Sequence, residues 1–189
     1  MSACALFETE DPTDCVQPQG VPTSLRSLDM DVEATLNLGF APSLPAVADF
    51  DGDGNIDIAV ADVDGGGVAI WGGQGGWNFT MLRELPGDGA ARAVGAADFD
   101  GDGTPDLAIA GTGIPNGDAL DDHLRIIYGG ADFASADPVT YPTEAGFGTA
   151  LGTTSIAIGD MDGDMDLEVI TGTEEGGGFI FFNEGGQAF

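Results

Sequence analysis

One acidic nonapeptide, Asp49-Phe50-Asp51-Gly52-Asp53-Gly54-Asn55-Ile56-Asp57, recurs in this chain at Asp98–Asp106 and at Asp160–Glu168. Carboxylates occupy the first, third, fifth and ninth places of every copy, and an apolar run follows each copy. Carboxylates this close together repel one another unless a cation lies among them. Oxygen ligands at this density suit a hard cation, and Ca²⁺ accepts about 6–8 oxygens in flexible geometry. The repeated pattern therefore predicts three calcium loops.

The spacing within the nonapeptide indicates which residues bind the ion. In a tight loop the side chains at the first, third and fifth places converge on one centre, and glycines between them let the backbone turn with positive φ. A backbone carbonyl near the seventh place supplies another oxygen, and the ninth carboxylate completes the shell where the next strand begins. The predicted ligands are Asp49, Asp51, Asp53, Asn55 and Asp57; Asp98, Asp100, Asp102, Thr104 and Asp106; and Asp160, Asp162, Asp164, Asp166 and Glu168.

The third loop departs from the other two. Met165 replaces a glycine, and Glu168 replaces the closing aspartate, so either Asp166 or Glu168 is expected to close that shell. Because methionine does not adopt positive φ readily, we expect a weaker or differently shaped site. An EF-hand is excluded because it needs a bidentate glutamate at the twelfth place. That place holds Val60, Ile109 and Thr171.

The charge balance restricts the partners. The 189-residue chain has 33 Asp and Glu against 4 Lys and Arg, a net charge of −29. Such a field repels nucleic acid and anionic membranes and favours cations, basic patches or neutral ligands. A hydrophobic content of 42% argues against disorder. No apolar stretch in the sequence is long enough for a transmembrane helix.

The N-terminal segment differs in composition from the rest. Residues 1–33 are polar and acidic without periodicity, which predicts a flexible tether, whereas the repeats occupy residues 34–189. The short stretch that ends at Cys4 resembles a bacterial lipoprotein cleavage box, which suggests a lipid anchor at Cys4. Alternatively, Cys4 and Cys15 form a disulfide loop in an oxidising compartment. Both interpretations place the protein outside the cytoplasm, in the periplasm, at the cell surface or in the medium.

The same order of strands surrounds each acidic loop. A short strand of small residues leads into the loop, a second follows it, and a third ends in a Gly-rich turn, as at Val68–Gly73. An aromatic residue then marks an expected fourth strand, near Trp77, Phe133 and Phe189. Short runs rich in Val, Ile and aromatics between Gly and Asp are typical of strands. We therefore predict an all-β fold of about three four-stranded antiparallel repeats, with helix scarce.

These loops and the Asn-x-Gly-Gly-x-x-Phe turn resemble the FG-GAP/VCBS repeats of integrin-α-like β-propellers, over roughly residues 34–189. The resemblance implies propeller blades with a Ca²⁺ loop between their first two strands. It also implies a non-enzymatic adhesion or ligand-binding scaffold, with a protein or glycan ligand at a cell surface. The alternative is an accessory domain of a polysaccharide-active lyase or hydrolase. The single histidine, His123, lies near acidic residues, but no nucleophile motif accompanies it.

The number of repeats raises a question of closure. Propellers usually have about four to eight blades, and this chain has material for three. Thr35–Leu38 resembles a fourth strand that could complete the last blade. The chain is therefore expected to be a fragment, an open propeller, or half of a six-bladed dimer. Open blade edges would favour self-association.

Overall fold

A computed structural model describes residues 35–86, 91–112, 122–142, 153–173 and 177–189. The chain divides into two units, Met1–Thr35 and Leu36–Phe189, and nearly all of the described residues belong to the second. The predicted tether and both cysteines lie outside the described residues, so the tether, the lipid anchor and the disulfide stay predictions.

Three antiparallel sheets make up the described part of the chain. The first contains β1 to β4, the second β5 to β8, and the third β9 to β11, always in chain order from one edge to the other. The strands are β1 (Ala46–Ala48), β2 (Asp57–Ala61), β3 (Val68–Gly73), β4 (Phe79–Leu85), β5 (Ala91–Ala97), β6 (Asp106–Thr112), β7 (Asp122–Ile127), β8 (Val139–Pro142), β9 (Thr153–Gly159), β10 (Glu168–Thr173) and β11 (Gly178–Phe181).

The all-β prediction is confirmed. No residue in the described ranges is helical, and accordingly they contain no helix that could span a membrane. Each sheet is a meander of neighbouring strands, which short Gly-rich and Asp-rich connections permit. The three sheets have the form of propeller blades and do not close into a ring among the described residues.

The fourth strand begins at Phe79 in the first sheet, as predicted, but the other two sheets differ from the prediction. In the second sheet, β8 begins at Val139, whereas Phe133 lies in the preceding turn. The third sheet has three described strands, and neither Phe189 nor Thr35–Leu38 has strand structure. The reason is that Phe133 and Phe189 leave their own sheets to pack against aromatic residues of the preceding repeat. Phe133 and Phe189 therefore mark contacts between sheets rather than the starts of strands.

Two apolar clusters bury the second sheet between its neighbours. The first cluster joins the first and second sheets through residues such as Ala59, Ile70, Leu107 and Ile127. The second cluster joins the second and third sheets. Successive residues of a strand point to opposite faces, so Leu107 faces the first sheet while Ala108 faces the third.

A repeated aromatic contact connects the first two acidic loops to the sheets that follow them. Phe50 of the first loop stacks on Phe133, with ring centroids 5.1 Å apart. The carbonyl of Phe50 accepts a 2.8 Å hydrogen bond from the amide of Gly130. In the second loop, Phe99 packs edge-on against Phe189 at 5.7 Å. The first and second acidic loops thus each hold their own sheet against the next.

Arg83 strengthens the contact between the first two sheets. Its guanidinium donates to the carbonyl oxygens of Phe133, at 3.0 Å, and Ala136. Burial lowers the pKa of this arginine below its usual value, and the charge of Asp137 partly offsets that effect. The side chain therefore binds two carbonyl groups of the turn that also holds the stacked Phe133.

We predict that Arg83→Met destabilises the protein by about 1–3 kcal/mol, because the methionine retains an apolar stem but leaves two carbonyls without their charged donor. Urea unfolding in saturating calcium measures the change. Arg26→Met removes the same charge in the N-terminal segment and controls for the altered net charge. Equal stabilities of the two variants would contradict the assigned role.

Candidate metal centres

Each acidic loop connects the first two strands of a sheet. The loops follow β1, β5 and β9 and end where β2, β6 and β10 begin. Glycines at the fourth and sixth places take positive φ, with values of 73° at Gly52 and 90° at Gly54. These conformations are easily reached only without a Cβ atom, which explains the residue choice.

Met165 keeps the turn that glycine makes in the other loops. Its φ is 82°, close to the 91° of Gly103 at the same place of the second loop. Met165 is the only non-glycine residue with positive φ in the described part of the chain. The third loop therefore has the same backbone path at this place, at a cost of about 1–2 kcal/mol in local strain.

The first carboxylate of each loop organises the turn. Asp98 accepts amide hydrogen bonds from Gly101, Asp102 and Gly103, at 2.8, 3.1 and 2.9 Å. Asp49 and Asp160 accept corresponding bonds from Gly54, at 2.9 Å, and Gly163, at 2.7 Å. The third and fifth carboxylates each accept a bond from the amide two residues later: Asp51, Asp53, Asp100, Asp102, Asp162 and Asp164. These bonds hold several carboxylates in a small volume.

The ninth carboxylate is buried and joins three segments of its repeat. Asp57 accepts hydrogen bonds from the amides of Phe50 and Gly73, both at 2.9 Å. Asp106 does the same with Phe99, at 2.7 Å, and Gly129, at 2.8 Å. It therefore holds the second residue of the loop and the end of the third strand around the start of the second strand.

Only glycine fits where the third strand approaches this carboxylate. A Cβ atom on Gly73 would lie 2.4 Å from the carbonyl oxygen of Ile56, and one on Gly129 would lie 2.3 Å from that of Pro105. The third repeat has Asn183 near this place. There Glu168 accepts a 2.6 Å bond from the amide of Met161 through Oε2, while the buried Oε1 has no hydrogen-bond partner.

Three groups of carboxylates converge closely enough to hold a cation. In each group, one oxygen per residue lies within 4.8 Å of the others. The groups are Asp49, Asp51 and Asp53; Asp98, Asp100 and Asp106; and Asp160, Asp162 and Glu168. The ninth residue of the loop thus belongs to the second and third groups. The first group contains the fifth residue, Asp53, instead. Each predicted loop therefore contains one candidate centre.

The oxygen atoms available at these centres fit a hard cation. Oδ1 of Asp49 and Oε1 of Glu168 are both buried, and neither has a hydrogen-bond partner. Leaving a buried carboxylate oxygen unsatisfied is costly. A cation among the carboxylates would satisfy both oxygens and would offset the repulsion between neighbouring charges. The donor set consists of oxygens alone, which suits Ca²⁺ or Mg²⁺ better than a softer metal.

The remaining predicted ligands lie in the same loops but outside these three groups. They are Asn55, Asp57, Asp102, Thr104, Asp164 and Asp166. The amides of Asn55, Thr104 and Asp166 donate to the fifth carboxylate of their loops. The hydrogen-bonding role of the ninth residue was not predicted from the sequence. A shared aromatic at the second place and a small residue at the end of the third strand were the available signals.

Asp106 has an unusual acidity because of its position. Burial raises its pKa to about 6, although hydrogen bonds from Gly129 and Phe99 act in the opposite direction. The charges of Asp100 and Asp98 raise the pKa further. Burial likewise raises the pKa of Asp57. In the absence of a cation, the carboxyl group at this place therefore keeps its proton to a higher pH than an ordinary aspartate does.

Residues 49–109 match the family model described as an FG-GAP-like repeat. This segment is FG-GAP-like repeat sequence. The match covers the first two acidic loops and the strands between them, so the resemblance predicted from the acidic pattern is confirmed there. The third loop shares the strand order and turn geometry of the matched FG-GAP-like segment. No curated protein matches the chain.

We predict opposite pH dependences with and without calcium. In the metal-free protein, the raised pKa of Asp106 contributes stability that is present below pH 3.8 and is lost as the pH rises through about 6. The stabilisation by calcium should increase over the same window, because the cation competes with the proton. Urea unfolding midpoints between about pH 4 and 7, with calcium or with chelator, measure both trends.

The matched control is Asp106→Asn, which cannot titrate. Its metal-free stability should vary less with pH across this window than that of the parent protein. An unchanged pH dependence in this variant would show that Asp106 is not the responsible group.

We also predict that Met165→Gly stabilises the calcium-loaded protein by about 0.5–1 kcal/mol, since glycine relieves the positive-φ strain but loses more entropy on folding. Met165→Ala removes the same side chain and retains the strain. The alanine variant should therefore gain nothing in thermal or urea unfolding. Equal gains from both substitutions would mean that the exposed methionine side chain, rather than its backbone, is unfavourable.

Proposed function

We propose that this protein is an extracytoplasmic calcium-binding repeat scaffold, which serves adhesion or ligand binding and has no catalytic activity of its own. Repeats of the FG-GAP-like family are typically extracellular, non-catalytic modules, and residues 49–109 match that family. The proposed metal is structural and binds in the three acidic loops. Millimolar calcium outside the cytoplasm would keep such sites occupied.

The observation that carries the proposal is the state of the buried carboxylate oxygens. Asp49 and Glu168 each direct one buried, unpartnered oxygen among neighbouring carboxylates. They are the only buried carboxylate oxygens without a hydrogen-bond partner in the described part of the chain, so both fit a bound cation. Such an ion would stabilise the folded state by mass action and would hold each loop in the position from which it contacts the next sheet.

The strongly acidic surface favours a neutral or basic ligand. With a net charge of −29, the protein repels anionic polymers at low ionic strength. A protein surface with basic patches or a neutral glycan therefore fits better than nucleic acid. The described residues show no arrangement that favours catalysis, and His123 has its backbone in β7 with its side chain outside the described residues.

We expect Ca²⁺ to raise the melting temperature and Mg²⁺ to raise it less, because the loops are flexible and rich in carboxylates. Each occupied site should contribute about 2.7 kcal/mol when free calcium is 100 times the Kd. Differential scanning calorimetry with calcium, magnesium and chelator measures the effect. If chelation leaves the melting temperature unchanged, the proposed structural role of calcium fails.

Asp51→Asn gives a sharper test, because its effect on stability should differ in sign between chelator and calcium. An asparagine Oδ1 can still accept the 3.1 Å bond from the amide of Asp53, so the loop retains its turn. We expect the variant to be more stable than the parent in chelator, since repulsion falls, and to gain less from calcium. Asp64→Asn removes an exposed charge from a turn outside the loops and should leave the calcium effect unchanged.

A further inference from the structure

Large apolar side chains are exposed mainly at the two ends of the stack of sheets. Of ten such residues in the described part of the chain, seven lie on the face of the first or third sheet that points away from the second. They are Val47, Ile56, Trp77, Met81, Met161, Ile180 and Phe182. Scattered exposed apolar residues need no explanation, but a concentration on two faces indicates contact surfaces.

The open face of the first sheet crosses all four strands. The register places Val47 opposite Ile58, Ile58 opposite Trp71, and Trp71 opposite Met81. Val47 of β1 is 56% exposed. Ile56 points to the same side as Ile58, two residues later. This row of apolar side chains contains no charged residue.

The open face of the third sheet points away from the second sheet, on the opposite side from the open face of the first sheet. Ala157, Ile170 and Ile180 lie opposite one another across its three strands. Ile180 is 45% exposed, and Phe182 points to the same side beyond the end of β11. This face also lacks charged side chains along its central row.

These two open faces correspond to the two sides of an interface that the protein already makes twice. Ile58 and Trp71 occupy the places of Leu107 and Ile127, which are buried in the cluster against the first sheet. On the opposite side, the third sheet presents Ile170 and Ile180 at the places that two buried pairs of residues occupy in the first and second sheets. Those buried equivalents are Ala59 with Ile70 and Ala108 with Ile126.

The first and third sheets also each present one unpaired partner of the contact that the loops make between successive repeats. The second place of the loop holds Phe50 and Phe99 in the first two repeats, and each packs on an aromatic of the next repeat. Met161 has that place in the third repeat and is 52% exposed. The corresponding turn of the first sheet presents Trp77, which is 66% exposed. Met161 on the third sheet and Trp77 on the first sheet could therefore form this apolar contact with each other between two copies.

We propose that the open face of the third sheet binds the open face of the first sheet of a second copy of this chain. The contact would repeat the packing between successive sheets, and Met161 of one copy would contact Trp77 of the other. Made reciprocally, it joins two copies into a ring of six sheets. Six lies within the usual range of about four to eight blades for propellers.

Charge opposes this association and gives it a distinctive salt dependence. Each copy has a net charge of −29, so two copies repel each other at long range. Screening shortens that range to about 10 Å at 0.1 M salt. The apolar faces supply the attraction, so added sodium chloride should tighten the dimer. An association that depended on ion pairs would weaken instead.

The test is the mass of the full chain in calcium across a wide concentration range. Light scattering after size exclusion, or sedimentation equilibrium, should show a change from 19.1 kDa to twice that mass as concentration rises. Both tryptophans of the chain lie at the open end of the first sheet, so their emission should shift to shorter wavelength with the same midpoint. A single-chain mass at every concentration and salt level would overturn the proposal.

Substitutions on each face distinguish this arrangement from other dimers. Val47→Lys and Ile180→Lys should each weaken dimerisation at least tenfold, because each buries an unpaired charge in the contact. Both positions are exposed in one copy, so the unfolding transition of each variant in calcium should match that of the parent at protein concentrations where the parent is a single chain. Val139→Lys, on the outer strand of the second sheet, is the matched control and should dimerise normally.

Mixing the two variants tests the head-to-tail geometry. A mixed pair contains one contact with both lysines and one contact without any substitution, so it should associate more tightly than either variant alone. If the first sheets bound each other instead, Ile180→Lys would have no effect. That result, or equal weakening by Val139→Lys, would contradict the proposed contact.

Discussion

The crowding of carboxylates in the acidic loops is the constraint on which the rest of the structure depends. Each loop holds several negative charges in a small volume, and internal amide hydrogen bonds direct them to one centre. The ninth carboxylate then joins the loop to the second and third strands of its sheet. Because the second residue of the loop packs on the next sheet, the geometry of one loop determines the packing between two repeats.

This arrangement connects metal binding to the assembly of the sheets. Phe50 and Asp51 are neighbours, and one packs on the second sheet while the other belongs to the first candidate centre. A cation that orders the loop would therefore also fix the orientation of Phe50. Calcium would in this way stabilise contacts between sheets as well as the turns themselves, which accords with a scaffold that works outside the cytoplasm.

The acidic loops and the first three strands of each repeat were predicted well from the sequence, because local rules govern both. Alternating carboxylates and glycines specify a tight turn, and short β-branched runs such as Val68–Ile70 specify strands. The fourth strands were less predictable. Phe133 and Phe189 look like the first residues of strands, but contacts with Phe50 and Phe99 determine where they lie. Those partners are far away along the chain, so no local pattern reveals them.

The ninth residue illustrates a similar limit at the site. Its carboxylate was predicted as a ligand from spacing alone, whereas Asp57 accepts two amide hydrogen bonds and lies outside the first group. Met165 shows the reverse, because the third loop keeps positive φ despite the methionine. Neighbouring hydrogen bonds evidently outweigh the intrinsic preference of one residue.

The most direct test of the account is the number of calcium ions that the protein binds. Equilibrium dialysis in physiological salt with excess magnesium, followed by elemental analysis, separates bound calcium from the diffuse ions that a charge of −29 attracts. The account predicts saturation at three calcium ions per chain, one for each acidic loop. Binding that does not saturate, or a protein that retains no calcium, would contradict it.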